Sequence, residues 1–179
     1  MSCAKWFVFK RGFNMKRLDS GLIGSTIKAS AVIAALILST SAGHAQSAFA
    51  GLSGAWSGGG TVSMSDGSTE RLRCKADYKV ESSGTALKQN LHCASDSYKF
   101  DLTSDVTSQG DRVFGQWSEP NRNIFGSVQG TGAGGKIDVV VQAPGFTANL
   151  SLHTAGNKQS VLISANGDIK TVSITMVKS

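Results

Sequence analysis

From Glu70 to Val80 the chain alternates without a break. Leu72, Cys74, Ala76, Tyr78 and Val80 fall on one side, and Arg71, Arg73, Lys75, Asp77 and Lys79 on the other. Thr85 to Ala94 repeats the pattern, with Leu87, Gln89, Leu91 and Cys93 opposed to Lys88, Asn90 and His92. A period of two over such lengths predicts half-buried strands. Folding the two about Ser83-Gly84, so that paired numbers sum to 167, sets Cys74 opposite Cys93, Ala76 opposite Leu91, Tyr78 opposite Gln89 and Val80 opposite Leu87. Directly opposed cysteines are within disulfide reach.

The rest of the chain follows the same grammar. Asp66-Gly67, Gln109-Gly110-Asp111, Pro120-Asn121, Pro144-Gly145 and Asn166-Gly167 punctuate alternating segments, as hairpin turns do. Tyr98, Phe100 and Leu102 alternate with Lys99 and Asp101. About Pro120-Asn121, a sum of 241 sets Trp117 against Ile124, Gly115 against Gly126 and Val113 against Val128, with Glu119 facing Arg122. About Pro144-Gly145, a sum of 289 pairs Ile137 with Leu152, Val139 with Leu150 and Val141 with Ala148. Val172, Ile174 and Met176 form a last strand whose register against Val161 and Ile163 is open, with room for a bulge.

The pattern predicts an all-β domain: a single antiparallel up-and-down barrel of about 8–10 short strands, the alternative being a two-sheet sandwich. Closure removes the exposed edges that invite aggregation. Gly58, Gly60, Gly115, Gly126 and Gly130, inside strand-like runs, permit the bends that closure needs.

The first fifty residues read differently. Six Lys/Arg precede the apolar run Ala31–Leu38, and the small-residue stretch SAGHAQSAFAG follows. That is the layout of a secretory signal peptide over residues 1–50, with cleavage after Ala45 or after Ala50. The apolar run falls short of the ~20 residues of a spanning helix, so no transmembrane anchor is expected in the mature chain. Localisation is then periplasmic or secreted, and residues 51–179 form the barrel domain.

Removing the leader changes the charge argument. Twelve of the 18 Lys/Arg and eleven of the 12 Asp/Glu lie beyond residue 50, leaving a net of +1 from a whole-chain +6. The basic character that would point to nucleic acid belongs to the leader, and no nucleic-acid partner is expected.

An isolated cysteine pair in an exported domain reads as a structural disulfide, Cys74–Cys93. A metal site would need further Cys/His ligands, and none stand at ligand spacing. His92 and His153 fall on the polar faces of their strands, where solvated surface is the plain role. GTGAGG at 130–135 lacks the Lys-Ser/Thr of a phosphate loop and is expected to be a turn. No acid–base pair, metal set or cofactor motif is evident, and the expectation is a protein that is not an enzyme.

Gly54-Ala55-Trp56 on a first strand, followed by a meander, resembles the opening of calycin-type barrels: lipocalins, fatty-acid-binding proteins and avidins. The resemblance implies that Trp56 plugs one end. In lipocalins that Trp commonly packs on an Arg near the last strand, whereas the last Arg here is Arg122. No avidin ligand residues match, so biotin is not implied. The chain also resembles exported bacterial barrels that inhibit secreted metalloproteases with an N-terminal tail, a role open to QSAFAGLSG.

The function expected is therefore non-catalytic binding of a small apolar or amphipathic molecule in the barrel interior. Trp56, Tyr78, Gln89, Phe100 and Trp117 are its candidate contacts. Gln89 is an amide on an otherwise apolar face; the plain reading is that it and Tyr78, opposite it, satisfy each other. The alternative is a protein-binding module, such as a periplasmic protease inhibitor or envelope interaction partner, with a solid interior.

Overall fold

The structure, a computed structural model, describes residues 46–179. The basic and apolar parts of the expected leader lie outside the described residues. Ten strands follow one another: β1 Gly54–Met64, β2 Thr69–Val80, β3 Ala86–Ala94, β4 Lys99–Gln109, β5 Arg112–Glu119, β6 Ile124–Ala133, β7 Lys136–Ala143, β8 Phe146–Ala155, β9 Lys158–Ala165 and β10 Ile169–Lys178. Each pairs antiparallel with the next, and β1 pairs with β10 to close a barrel. The sandwich alternative is excluded by that last pairing, which runs from Trp56↔Lys178 to Met64↔Ile169.

Two of the expected registers hold residue for residue. β2 and β3 set Cys74 opposite Cys93 and Tyr78 opposite Gln89, and the two cysteines are disulfide-bonded with Cα atoms 4.2 Å apart. β7 and β8 pair Ile137 with Leu152 and Val141 with Ala148. The register left open resolves as Val172↔Ile163 and Ile174↔Val161. The expected irregularity falls on the other side of β10, against Ser63 and Met64.

The β5–β6 register is a correction. Trp117 faces Gly126 rather than Ile124, and Val113 faces Gly130 rather than Val128, a slip of two. A tight two-residue hairpin turn needs positive φ, which proline cannot adopt. Pro120–Arg122 instead winds into a 3₁₀ turn, and Asn123 takes the left-handed conformation at φ 53°. Because the slip is even, every side chain keeps its face. Glu119 still meets Arg122, accepting the Arg122 N–H at 2.7 Å.

A second correction concerns Tyr98. It lies in the β3–β4 turn, 48% exposed, rather than on the inward face with Phe100 and Leu102. The Arg122 guanidinium sits 4.4 Å above its ring centroid. Of the GTGAGG run, expected to be a turn, Gly130–Ala133 instead finish β6, and only Gly134 and Gly135, both at positive φ, make the turn. The inward glycines do admit close approach: a Cβ on Gly60 would stand 1.8 Å from the Ser173 carbonyl oxygen, and one on Gly115 2.2 Å from that of Asp105.

Candidate functional site

The two ends of the barrel differ. At one end lie the β2–β3, β4–β5, β6–β7 and β8–β9 turns, and residues ahead of β1 fold across them. Ala48, Phe49 and Leu52 are each at most 1% exposed and join the core. QSAFAGLSG is therefore built into the barrel floor rather than held out as a tail.

Trp56 lies against this floor, 1% exposed. Its Nε1–H donates to the Leu52 carbonyl at 2.7 Å. The Lys178 ammonium, on the last strand, sits 5.5 Å from its ring centroid and donates to the Gly51 carbonyl at 3.2 Å. A last-strand cation thus does cover the first-strand Trp, as lysine in place of arginine. Nearby, the Tyr78 hydroxyl donates to Gln159 Oε1 at 3.0 Å, and Gln159 Nε2 donates to Thr154 Oγ1 at 3.3 Å. Burial holds the Tyr78 phenol well above the ordinary tyrosine range, and the bond to Gln159 offsets this in part.

The other end carries the β1–β2, β3–β4, β5–β6, β7–β8 and β9–β10 turns. Here the inward apolar side chains, among them Leu72, Leu91, Leu102, Val141, Phe146 and Ile163, pack on the core yet are only partly buried. Interior residues at the floor end are, with few exceptions, shut off from solvent. Trp117, Ala148, the disulfide, Val62 and, at the rim, Glu119 are among the buried groups of the open half. Trp117 meets Phe146 edge to face, ring centroids 6.4 Å apart, and its indole N–H is buried without a hydrogen-bond partner among the described residues.

Between the halves, the ladder places Tyr78, Gln89, Ser104 and Trp117 in one cross-strand row over β2, β3, β4 and β5. Tyr78 and Gln89 are neighbours as expected, but do not satisfy each other. Ser104 Oγ donates to Gln89 Oε1 at 3.0 Å. With its oxygen so engaged, the amide aims Nε2 elsewhere, and no described residue accepts from it. Gln89 is only partly buried, so the free donor faces the lumen with solvent in reach.

The structure thus brings together three of the five candidate contacts, Tyr78, Gln89 and Trp117. It sets Phe100 toward the mouth opposite Cys93 and Trp56 against the floor. Ser104 was missed. Its signal was the period of two itself, which runs from Phe100 and Leu102 through Ser104 to Val106. His92 and His153 are exposed on the outer wall, where His92 pairs with Asp101. That contact, with a second from Asn121, holds the Asp101 carboxyl below its usual value.

The outer wall carries two shallow, open concavities, one around Arg112 and Phe114 and one across Arg73, Lys75, His92 and Asp101. Among the described residues, no three His, Cys, Asp or Glu side chains converge to hold a metal, and no helix is long and apolar enough to cross a membrane.

A closed ten-strand antiparallel meander with a first-strand tryptophan buried at one end fits a calycin-like fold. No protein-family model matches the chain, and no curated protein matches it. Among solved structures it is similar to Rv2717c from M. tuberculosis, with a TM-score of 0.59 at 12% identity, covering 76% of this chain and 99% of that one. It is also similar to the S-type phycobiliprotein lyase CpeS from Guillardia theta, with a TM-score of 0.50 at 10% identity, covering 71% and 88%. At such identities the likeness is one of fold.

Proposed function

We propose that this protein is an exported, non-catalytic carrier that takes a small apolar or amphipathic molecule into the open half of its barrel. The carrying observation is the set of inward apolar side chains, Leu72, Leu91, Leu102, Val141, Phe146 and Ile163, left partly in contact with solvent inside a closed wall. Covering such surface is favourable by about 25 cal/mol per Å². A ligand bound there recovers what the barrel's own packing does not supply.

Gln89 gives the site its polar handle. Its free N–H groups, steered by Ser104, suit a ligand that carries a carbonyl, carboxylate or other acceptor. The inward face is otherwise largely apolar, amide or hydroxyl, and its two carboxylates, Glu70 and Glu119, stand at the mouth end tied to Ser97 and to Arg122, an arrangement that suits binding more than acid–base chemistry. Export is supported by the leader pattern and by the Cys74–Cys93 disulfide, which belongs in an oxidising compartment. CpeS is named as a lyase of phycobiliproteins, and a binding role for such a barrel is in keeping with that. The tail-inhibitor reading loses support, because the tail it needs is the barrel floor.

Native mass spectrometry of protein purified from its own host tests the proposal. A co-purifying small molecule, displaced by an excess of a fluorescent apolar probe, is the expected result. A bare mass, with no uptake of the probe by the folded protein, overturns it.

A further inference from the structure

We propose that the leader is cut between Ala45 and Gln46, and that Gln46–Leu52 is retained as the floor of the mature barrel. The inference rests on the export reading above and adds to it the processing site. The sequence offers two small-x-small exits, Gly43-His44-Ala45 and Ala48-Phe49-Ala50. The folded domain distinguishes them. A cut after Ala50 removes Ser47, Ala48 and Phe49, and the last two are among the most buried side chains of the barrel, each 1% exposed.

The barrel is shaped around the segment that the later cut would discard. Ser47 Oγ donates to the Gly84 carbonyl in the β2–β3 turn and accepts the Phe49 N–H at 3.1 Å. Ala50 N–H returns to the Ser47 carbonyl at 3.0 Å, and Gly134 N–H, in the β6–β7 turn, donates to the Gln46 carbonyl at 3.3 Å. Ala48 lies so close to β6 that a Cβ on Gly132 would stand 3.0 Å from the Ala48 Cβ. On Gly135 it would stand 2.9 Å from the Ala50 carbonyl oxygen. Without residues 46–50 those turns lose their partners, and the place of the Phe49 ring becomes a void in the core.

Gln46 itself is exposed, so a chain end there costs no packing. The chemistry is hydrolysis by a peptidase of the export machinery. Water adds across the Ala45–Gln46 amide, giving the Ala45 carboxylate and the Gln46 amine, with no co-reactant besides water.

The test is intact mass and N-terminal sequencing of the full chain after export in its own host. The expected first residue is Gln46. A protein beginning at Gly51 overturns this inference and leaves export standing. One that keeps Met1 or Met15 overturns both. A second measurement is independent of the host: chains beginning at Gln46 and at Gly51 are made directly and melted. The Gly51 chain, if it folds, is expected to melt roughly 10–20 °C lower, and Phe49→Ala in the Gln46 chain to lose a large part of that margin. Equal melting of all three would show that the segment carries no floor, and would overturn the argument.

Discussion

The floor and the mouth of this barrel are made from the same ten strands and solve opposite problems. At the floor, apolar bulk (Trp56, Phe49, Leu52, Met176) meets at near-zero exposure. The buried Tyr78 hydroxyl and Gln159 amide are tied to each other, and the Trp56 N–H is tied to Leu52. At the mouth, comparable residues stay half covered, and the Trp117 N–H has no partner among the described residues. Buried polar groups are normally paired, so the contrast separates the end that holds the fold together from the end left available.

The largest expected effect tests that contrast directly. Trp56→Ala should cost about 3–5 kcal/mol, the usual penalty for emptying a tightly packed aromatic site. Phe146→Ala, at the mouth, should cost about 1–2 kcal/mol, since part of its surface is already in contact with water. Urea denaturation measures both, and equal costs would erase the distinction between the ends. Next in size, reducing Cys74–Cys93, or replacing both cysteines with serine, should cost about 3 kcal/mol by the loop-entropy estimate. The strands should remain paired, so that circular dichroism keeps its all-β form under native conditions. A helical spectrum would contradict the closed ladder.

Gln89→Leu sharpens the comparison from the other side. It should weaken uptake of an acceptor-bearing ligand roughly tenfold, the scale of one lost hydrogen bond, while the denaturation midpoint stays put. Unchanged affinity would remove Gln89 from the site. The smallest effect is confined to alkaline solution. In a Tyr98→Phe protein the remaining tyrosine is Tyr78, whose folded pKa lies above its unfolded value of 10.0. Its contribution to stability is therefore complete below pH 10.0 and is lost as the pH rises toward the folded value. Phenolate absorbance should appear only together with unfolding. Ionisation in the folded protein near pH 10.0 would mean that water reaches the floor.

Much of this architecture is legible in the residues, for a physical reason. Alternation plus a turn fixes local pairing, and the Cys74–Cys93 and Val141–Ala148 pairs follow from nothing else. The slip at Trp117 shows the limit. Alternation sets the face, whereas the register depends on the turn, and Pro120 forces a longer one. Closure of β1 on β10 is a contact between strands at opposite ends of the domain, and no local period encodes it.

The candidate site was less legible. Tyr78 and Gln89 were placed as neighbours, but the partner of Tyr78, Gln159, comes from β9, whose approach only the closed barrel determines, and the partner of Gln89, Ser104, comes from β4 across a turn with no Gly or Pro to mark its register. The floor was hidden because its residues, SAFAGL, have no period of two and also read as the exit of a leader. Phe49 and Leu52, two large apolar residues three apart just ahead of Gly54-Ala55-Trp56, were the available signal.

The pairing of the first and last strands has a practical corollary. Ser179 N–H donates to the Ala55 carbonyl at 2.9 Å, so Ser179 lies beside where the wall starts, at the pole carrying Phe49. A tag, fusion partner or solid support attached at Ser179 would stand behind the molecule, with the opposite pole facing bulk solution. An immobilised sample should then leave the mouth as open to an added apolar probe as it is in solution.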